Sequence, residues 1–162
     1  MLFKNKILKI IFLLLGIGII IVIGIGIYMF NMPHRDIKTT KTDYKLNAKE
    51  IVNEYLKDPT IANEKYLDEE GESKILEITG NINSFSTDFN NQIVILLKED
   101  NSKAGVTCTF TDESKSIVKN LKEGQLISVK GVIRSGASYD EDLEMYENVI
   151  LEKCSLINII QS

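Results

Sequence analysis

The chain has 162 residues, of which 44% are hydrophobic and 26% charged, and it carries a net charge of −4 with one histidine and two cysteines. The first thirty residues hold three lysines and no acid, so the remainder carries −7. A balance of that sign works against binding to nucleic acid or anionic lipid, and the length beyond an N-terminal apolar run allows one small domain and no more.

Residues 10–30 read IIFLLLGIGIIIVIGIGIYMF, an uncharged run of 21 residues. At about 1.5 Å per residue it spans roughly 31 Å, the thickness of a bilayer's hydrocarbon core. Lys4, Lys6 and Lys9 flank it on the short side, Tyr28 stands where an interfacial aromatic would, and Met32-Pro33 ends the helix. A cleaved signal peptide is the competing reading. The apolar core is longer than a usual signal sequence's, and no small-x-small pattern follows Phe30, so an uncleaved single-pass membrane anchor is the expectation. Arg35, Lys38, Lys41 and Lys45 weaken the charge asymmetry. A short cytoplasmic tail (residues 1–9) still places the C-terminal domain outside the cytoplasm. Gly16, Gly18, Gly24 and Gly26 have no G-x-x-x-G spacing and leave the oligomeric state open.

Residues 31–45 are polar and read as a linker, leaving residues 46–162 for the domain. Asn47 can cap a helix with Glu50 as its capping-box partner, followed by Ile51, Val52, Tyr55 and Leu56 at helical spacing. Pro59 breaks that helix, Thr60 can cap a second, and Ile61, Ala62, Tyr66 and Leu67 supply its apolar face. From Lys74 the period becomes two: Leu76, Ile78, Gly80 and Ile82 fall on one face, with Glu77, Thr79 and Asn81 on the other. A polar loop at 84–91, a strand at 92–97, a turn at 99–102 and a strand at 106–110 complete a meander. Thr111 or Asp112 can cap a helix running through Ile117, Val118 and Leu121 to a stop at Gly124. Strands at 126–133 and 149–157 follow, separated by a polar loop at 134–147.

Three strands, a helix and two strands is the chain order of an OB-fold barrel. Ile78-Thr79-Gly80-Asn81-Ile82 and Val129-Lys130-Gly131-Val132 resemble the V-x-G-x-V strand signatures of small OB-folds, in which glycine lets a strand bend around a narrow barrel. Leu121-Lys122-Glu123-Gly124-Gln125-Leu126 is similar to the L-x-x-G-x-x-V turn that feeds the fourth strand. With Asn47-Ala48-Lys49-Glu50-Ile51, Asn63-Glu64, Lys65-Tyr66, Val106-Thr107-Cys108-Thr109-Phe110 and Leu151-Glu152-Lys153-Cys154, the segment 46–157 resembles the bacterial tRNA_anti-like OB-fold family. The resemblance implies a small barrel, often behind an N-terminal membrane segment, with no assigned function. The family name records a fold relationship to anticodon-binding domains and does not itself imply RNA binding.

The residues do not support nucleic-acid recognition. Such a barrel needs stacking aromatics on its second and third strands and cations along the groove. The segment 92–97 has no aromatic, and Phe110 reads as core. The loop between the last two strands, Tyr139-Asp140-Glu141-Asp142-Leu143-Glu144-Met145-Tyr146-Glu147, carries five carboxylates that repel phosphate. It lacks calcium-loop spacing, so no metal or other cofactor is expected. Tyr139, Leu143, Met145 and Tyr146, interleaved with Asp140 and Asp142, make it more amphipathic than a solubilising loop requires, and these six are the candidate contacts for a protein partner. The lone His34 lies against the apolar run, the cysteines have no redox or zinc spacing, and Asp68-Glu69-Glu70 reads as solvated, so catalysis is not expected. Cys108 and Cys154 fall on neighbouring strands of an OB-fold, which admits either a disulfide or two buried thiols. The sequence thus describes a membrane-anchored binding or assembly module at the cell envelope. A nucleic-acid-binding OB-fold and an envelope enzyme with a partner-assembled site are the alternatives.

Overall fold

The computed structural model describes residues 6–30, 37, 39–68 and 73–160. The chain divides into one unit ending at residue 35 and another beginning at residue 36. In the first, helix α1 (Lys6–Phe30) contains an apolar span, Lys9–Tyr28, long enough to cross a membrane, with no residue of that span buried. Met32, Pro33, His34, Arg35 and Lys38, like Lys4, Glu69 and Glu70, lie outside the described residues.

The second unit is built on five strands closed into a barrel: β2 (Ile75–Thr87), β3 (Ile93–Leu97), β4 (Val106–Phe110), β5 (Leu126–Ser135) and β8 (Val149–Ile160). The order around the barrel is β2-β3-β4-β8-β5 with β5 returning to β2, and every pairing is antiparallel except β4–β8. This is the OB-type arrangement, in which the last strand in the chain inserts between the third and fourth. β2 extends beyond the expected end near Ile82 because it serves two partners. Its first half pairs with β5 from Ile75↔Val132 to Asn81↔Leu126, and after a bulge between Ile82 and Ser84 its second half pairs with β3 as far as Thr87↔Ile93. The alternation read from the sequence holds, with Leu76, Ile78 and Ile82 buried and Asn81 exposed. Gly131 is a point of closest approach on β5: a Cβ there would lie 2.7 Å from the Cys154 sulfur on β8.

Two helices pack on the barrel. α2 (Ala48–Lys57) starts after an extended Asn47 whose backbone N–H donates to the Glu50 carboxylate at 3.3 Å, and it buries Ile51, Val52 and Tyr55. α3 (Pro59–Tyr66) begins at the proline instead of after it. Asp58, extended as the residue before a proline tends to be, accepts from the N–H of Ile61 at 3.1 Å, so Asp58 and not Thr60 is the cap. A charged and aromatic cluster ties the helices together. Glu54 accepts from Lys65 at 2.9 Å and from the Tyr66 hydroxyl at 2.8 Å, while the Lys65 ammonium lies 4.7 Å from the Tyr66 ring centre and 5.3 Å from that of Tyr44. Burial raises the Glu54 pKa, but these two donors and the lysine charge outweigh it and hold the carboxyl below its ordinary value.

The described residues just before the barrel pair with it. Leu46 and its neighbours form a four-residue strand, β1 (Tyr44–Asn47), parallel to β2 from Tyr44↔Leu76 to Asn47↔Thr79. Asp43 exchanges hydrogen bonds with Ile75, donating from its backbone N–H at 2.8 Å and accepting at its carboxylate at 2.7 Å. Ile37 packs with Ile75 and Val132 in a small cluster outside the main core, and Lys130 donates to the Thr40 carbonyl. The expected helix before β5 is shorter than its spacing suggested: a 3-10 turn, Asp112–Ser114, leads into a single α-helical turn, α4 (Lys115–Val118). The chain then tightens through the bonds Asn120 N–H to Ile117 O and Leu121 N–H to Val118 O, which turns Leu121 into the core.

Candidate functional site

The loop between β5 and β8 is not irregular throughout. Within it, β6 (Ser138–Asp140) and β7 (Met145–Glu147) form a two-stranded hairpin separate from the barrel sheet, with Tyr139 opposite Tyr146 and Asp140 opposite Met145. Asp140 shapes the turn, its carboxylate accepting from the backbone N–H groups of Asp142 and Leu143 at 2.9 Å each. Glu144 completes it with φ of 52°, a left-handed conformation that a glutamate adopts only when neighbours enforce it. Ser138 donates to Glu147 at 2.5 Å across the open end.

On the face turned to the body of the protein, the Tyr139 and Tyr146 rings lie 4.8 Å apart at 54°, and the Lys103 ammonium lies 5.3 Å from the Tyr146 ring centre. Together with Tyr55 and Leu56 at the end of α2, Pro59 at the start of α3, Ala137 and Ser138, they line a groove of about 410 Å³. The close fit of hairpin to helix depends on Gly136. A Cβ at that position would fall 1.9 Å from Cε1 of Tyr55, inside the ring's own contact distance. Tyr55 is 1% exposed, and its hydroxyl has no hydrogen-bond partner among the described residues. Burial, with Tyr66 and Glu54 nearby, pushes its pKa up to about 12, so it remains a neutral phenol.

Of the six contacts expected from the sequence, Tyr139 and Tyr146 line the groove. Leu143 at the turn and Met145 on β7 are exposed, at 67% and 52%. Asp140 is committed to the turn, and Asp142 lends it a backbone N–H. The residues opposite the tyrosines have no distinct signal in the sequence, since Tyr55, Leu56 and Pro59 carry ordinary helix signals and Lys103 lies in a loop. Gly136, two residues before β6, is the local sign of a close approach. Phe89 is fully exposed between β2 and β3.

A second cleft, of about 630 Å³, is lined by Lys49, Asn81, Lys98, Glu99 and Glu123, where Lys49 pairs with Glu99 at 3.2 Å and the charges largely compensate each other. Phe110 is buried, and β3 presents no aromatic. Among the described residues no group of three or more His, Cys, Asp or Glu side chains is placed to hold a metal ion. Cys108 and Cys154 both lie in the barrel core as free thiols. Burial, and then the hydrogen-bonding neighbour Cys108, raise the Cys154 pKa well above the ordinary thiol value.

The fold and the N-terminal helix together define a class: a small OB-type barrel behind an apolar helix long enough to span a bilayer. More narrowly, the chain belongs to the tRNA_anti-like family, whose model matches residues 1–143 and so takes in the apolar helix, the helix pair and the barrel as far as the β6–β7 turn. No curated protein matches the sequence.

Proposed function

We propose that the protein is a non-catalytic, single-pass membrane-anchored binding module, with its barrel outside the cytoplasm and the β6–β7 hairpin as the edge that meets a protein partner. The observation that carries this reading is the hairpin itself. It sets Tyr139, Leu143 and Met145, all large and exposed, among five carboxylates on a rigid turn. Scattered apolar exposure is ordinary on a protein surface, but these three crowd onto one short ordered hairpin beside a groove. β3 is wholly aliphatic and Phe110 is buried, so neither β3 nor β4 offers a nucleic acid a stacking group.

Photo-crosslinking tests the interface, and protease accessibility tests the topology. A benzophenone amino acid at Leu143 should give an adduct of discrete mass in intact membranes, while the same group at Lys119 should not. Protease added to spheroplasts should digest the barrel. Protection of the barrel until detergent is added would reverse the orientation. Micromolar binding of a labelled oligonucleotide that weakens steeply with salt would replace the protein-binding reading with a nucleic-acid one.

A further inference from the structure

Resting on the reading of the chain as membrane-anchored with the hairpin as its binding edge, we infer that the partner is a second copy of the chain: Phe89 of one copy enters the groove between the hairpin and the α2–α3 elbow of the next.

Phe89 is a knob on an ordered turn. It is fully exposed, and no large apolar residue of β2, β3 or β4 shares that exposure. Asp88 holds the turn, its carboxylate accepting from the backbone N–H groups of Asn90 at 2.9 Å and Gln92 at 2.8 Å while its own N–H donates to the Gln92 carbonyl at 3.1 Å. Asn91 closes it in a left-handed conformation with φ of 59°, and the Lys115 ammonium donates to the Asn91 carbonyl at 3.0 Å. A single ring on a preorganised turn loses little conformational entropy when it is enclosed, and it suits a pocket better than a flat surface.

The groove is such a pocket, and it lies at the other end of the barrel. β3 runs antiparallel to both β2 and β4, and β5 runs antiparallel to β2, so the 88–92 turn is at one end while the β3–β4 loop and the hairpin are at the other. The five residues of β3, at roughly 3.3 Å each, keep Phe89 out of its own chain's groove. The contact is therefore between copies and head to tail, and its repetition gives a ring or an open row. Leu56, Pro59, Tyr139 and Tyr146 supply apolar and aromatic walls, with the two tyrosine rings inclined at 54° so that a third ring can meet an edge or a face. A cavity of about 150 Å³ holds a benzene ring, and the groove's volume of about 410 Å³ leaves room for the phenyl group and the turn that carries it.

The charges of the two ends match. Lys103 is the one charged residue lining the groove, and Asp88 is the one charged residue from Ser84 to Leu97. Beside them the signs reverse, with Lys115 next to the turn and the hairpin carboxylates next to the groove without lining it. Each end thus carries the counter-charge of the other. Burying one phenylalanine removes about 150–250 Å² from water, against roughly 800 Å² per partner in a stable interface, so knob and groove do not hold free copies together. Copies confined to one bilayer by their apolar helices meet at a raised effective concentration, and the contact belongs there.

The test uses the full chain in phosphatidylcholine liposomes. A probe copy carries a benzophenone amino acid at Phe89 together with Lys103→Glu, which disables its own groove, and it is irradiated with an excess of isotopically labelled acceptor copies. The product should have twice the mass of the chain, with the labelled crosslinked peptide drawn from residues 55–59 or 137–146. A Phe89→Ala acceptor should crosslink as well as wild type, because only its groove is used. A Lys103→Glu acceptor should give at least about fivefold less product. Lys122→Glu, the same charge change at the end of the barrel away from the groove, should leave the yield unchanged. Phe89, Lys103 and Lys122 are all exposed, so each variant should keep the wild-type thermal midpoint.

No product at twice the chain mass, equal yield from the Lys103→Glu acceptor, or labelled peptides from outside the groove overturns the inference. If the Leu143 probe gives its adduct while the position-89 probe captures no second copy, the inference falls and the reading of the hairpin as a binding edge stands. If neither probe reacts, both fall.

Discussion

Replacing Gly136 by alanine tests the packing that joins the hairpin to the helices. The new methyl carbon would lie 1.9, 2.0 and 2.6 Å from Cε1, Cδ1 and Cγ of Tyr55, whereas carbon atoms rest at about 3.5 to 4.0 Å. Relief requires the ring or the hairpin to move by roughly 1.5 Å. The ring has little room to retreat, being 1% exposed with the Tyr66 ring centre 6.0 Å away. Overpacking of a well-filled site costs about 1 to 3 kcal/mol, and three contacts this short put Gly136→Ala near 3 kcal/mol. In a barrel unit of this size that corresponds to a fall of about 10 °C in thermal midpoint, followed by near-ultraviolet circular dichroism of the full chain in micelles. Gly124→Ala is the control. That site has open space and a φ of +81°, so only the backbone term applies, about 1 kcal/mol. In a Tyr55→Leu background the obstructing ring is absent, and adding Gly136→Ala should then cost less than about 1 kcal/mol, a coupling of about 2 kcal/mol between the two sites. A single-mutant shift under 2 °C, or a cost that is the same in both backgrounds, would refute the account.

Other outcomes follow from the same structure. A fragment starting at residue 36 should melt cooperatively, and one starting at residue 46 should lose about 3 kcal/mol or more, because it lacks Ile37, the Asp43–Ile75 bonds and half of β1; equal midpoints would show that the segment contributes nothing. Glu54 has its native pKa held below 4.5, so its stabilisation is complete above that value and is lost as pH falls through the lowered one. The gap in thermal midpoint between wild type and Glu54→Gln should therefore be widest near neutrality and shrink by pH 3, and a gap constant across pH would be the contrary result. Cys108 and Cys154 should resist iodoacetamide at pH 8 in the native protein and take up two equivalents in urea, whereas mass addition to the folded protein within minutes would show that the core opens readily.

The apolar helix, the chain order of the barrel and the capping of α2 were all legible in the residues, since each rests on a local period or a local pairing. Residues 10–30 contain nothing that prefers water, and Leu76, Ile78 and Ile82 alternate with polar neighbours over a span any half-buried strand would show. The glycine-centred strand motifs carried the barrel's narrowness as a pattern. Only the tertiary structure supplied its cause at Gly131, the sulfur of Cys154 on the next strand. Three features had no local signal. β1 is four residues long and parallel to a partner some thirty residues away, so neither a turn nor an adequate period announces it. The hairpin strands are three residues each, too short for alternation to be distinguished from an acidic loop. The groove joins Tyr55 and Pro59 to Tyr139 and Tyr146, and what brings them together is the absence of a side chain at Gly136. The alternation of apolar residues determined which side chains of the barrel turn inward; which distant ones meet was decided by close packing, because contact between segments far apart in the chain leaves no period in either of them.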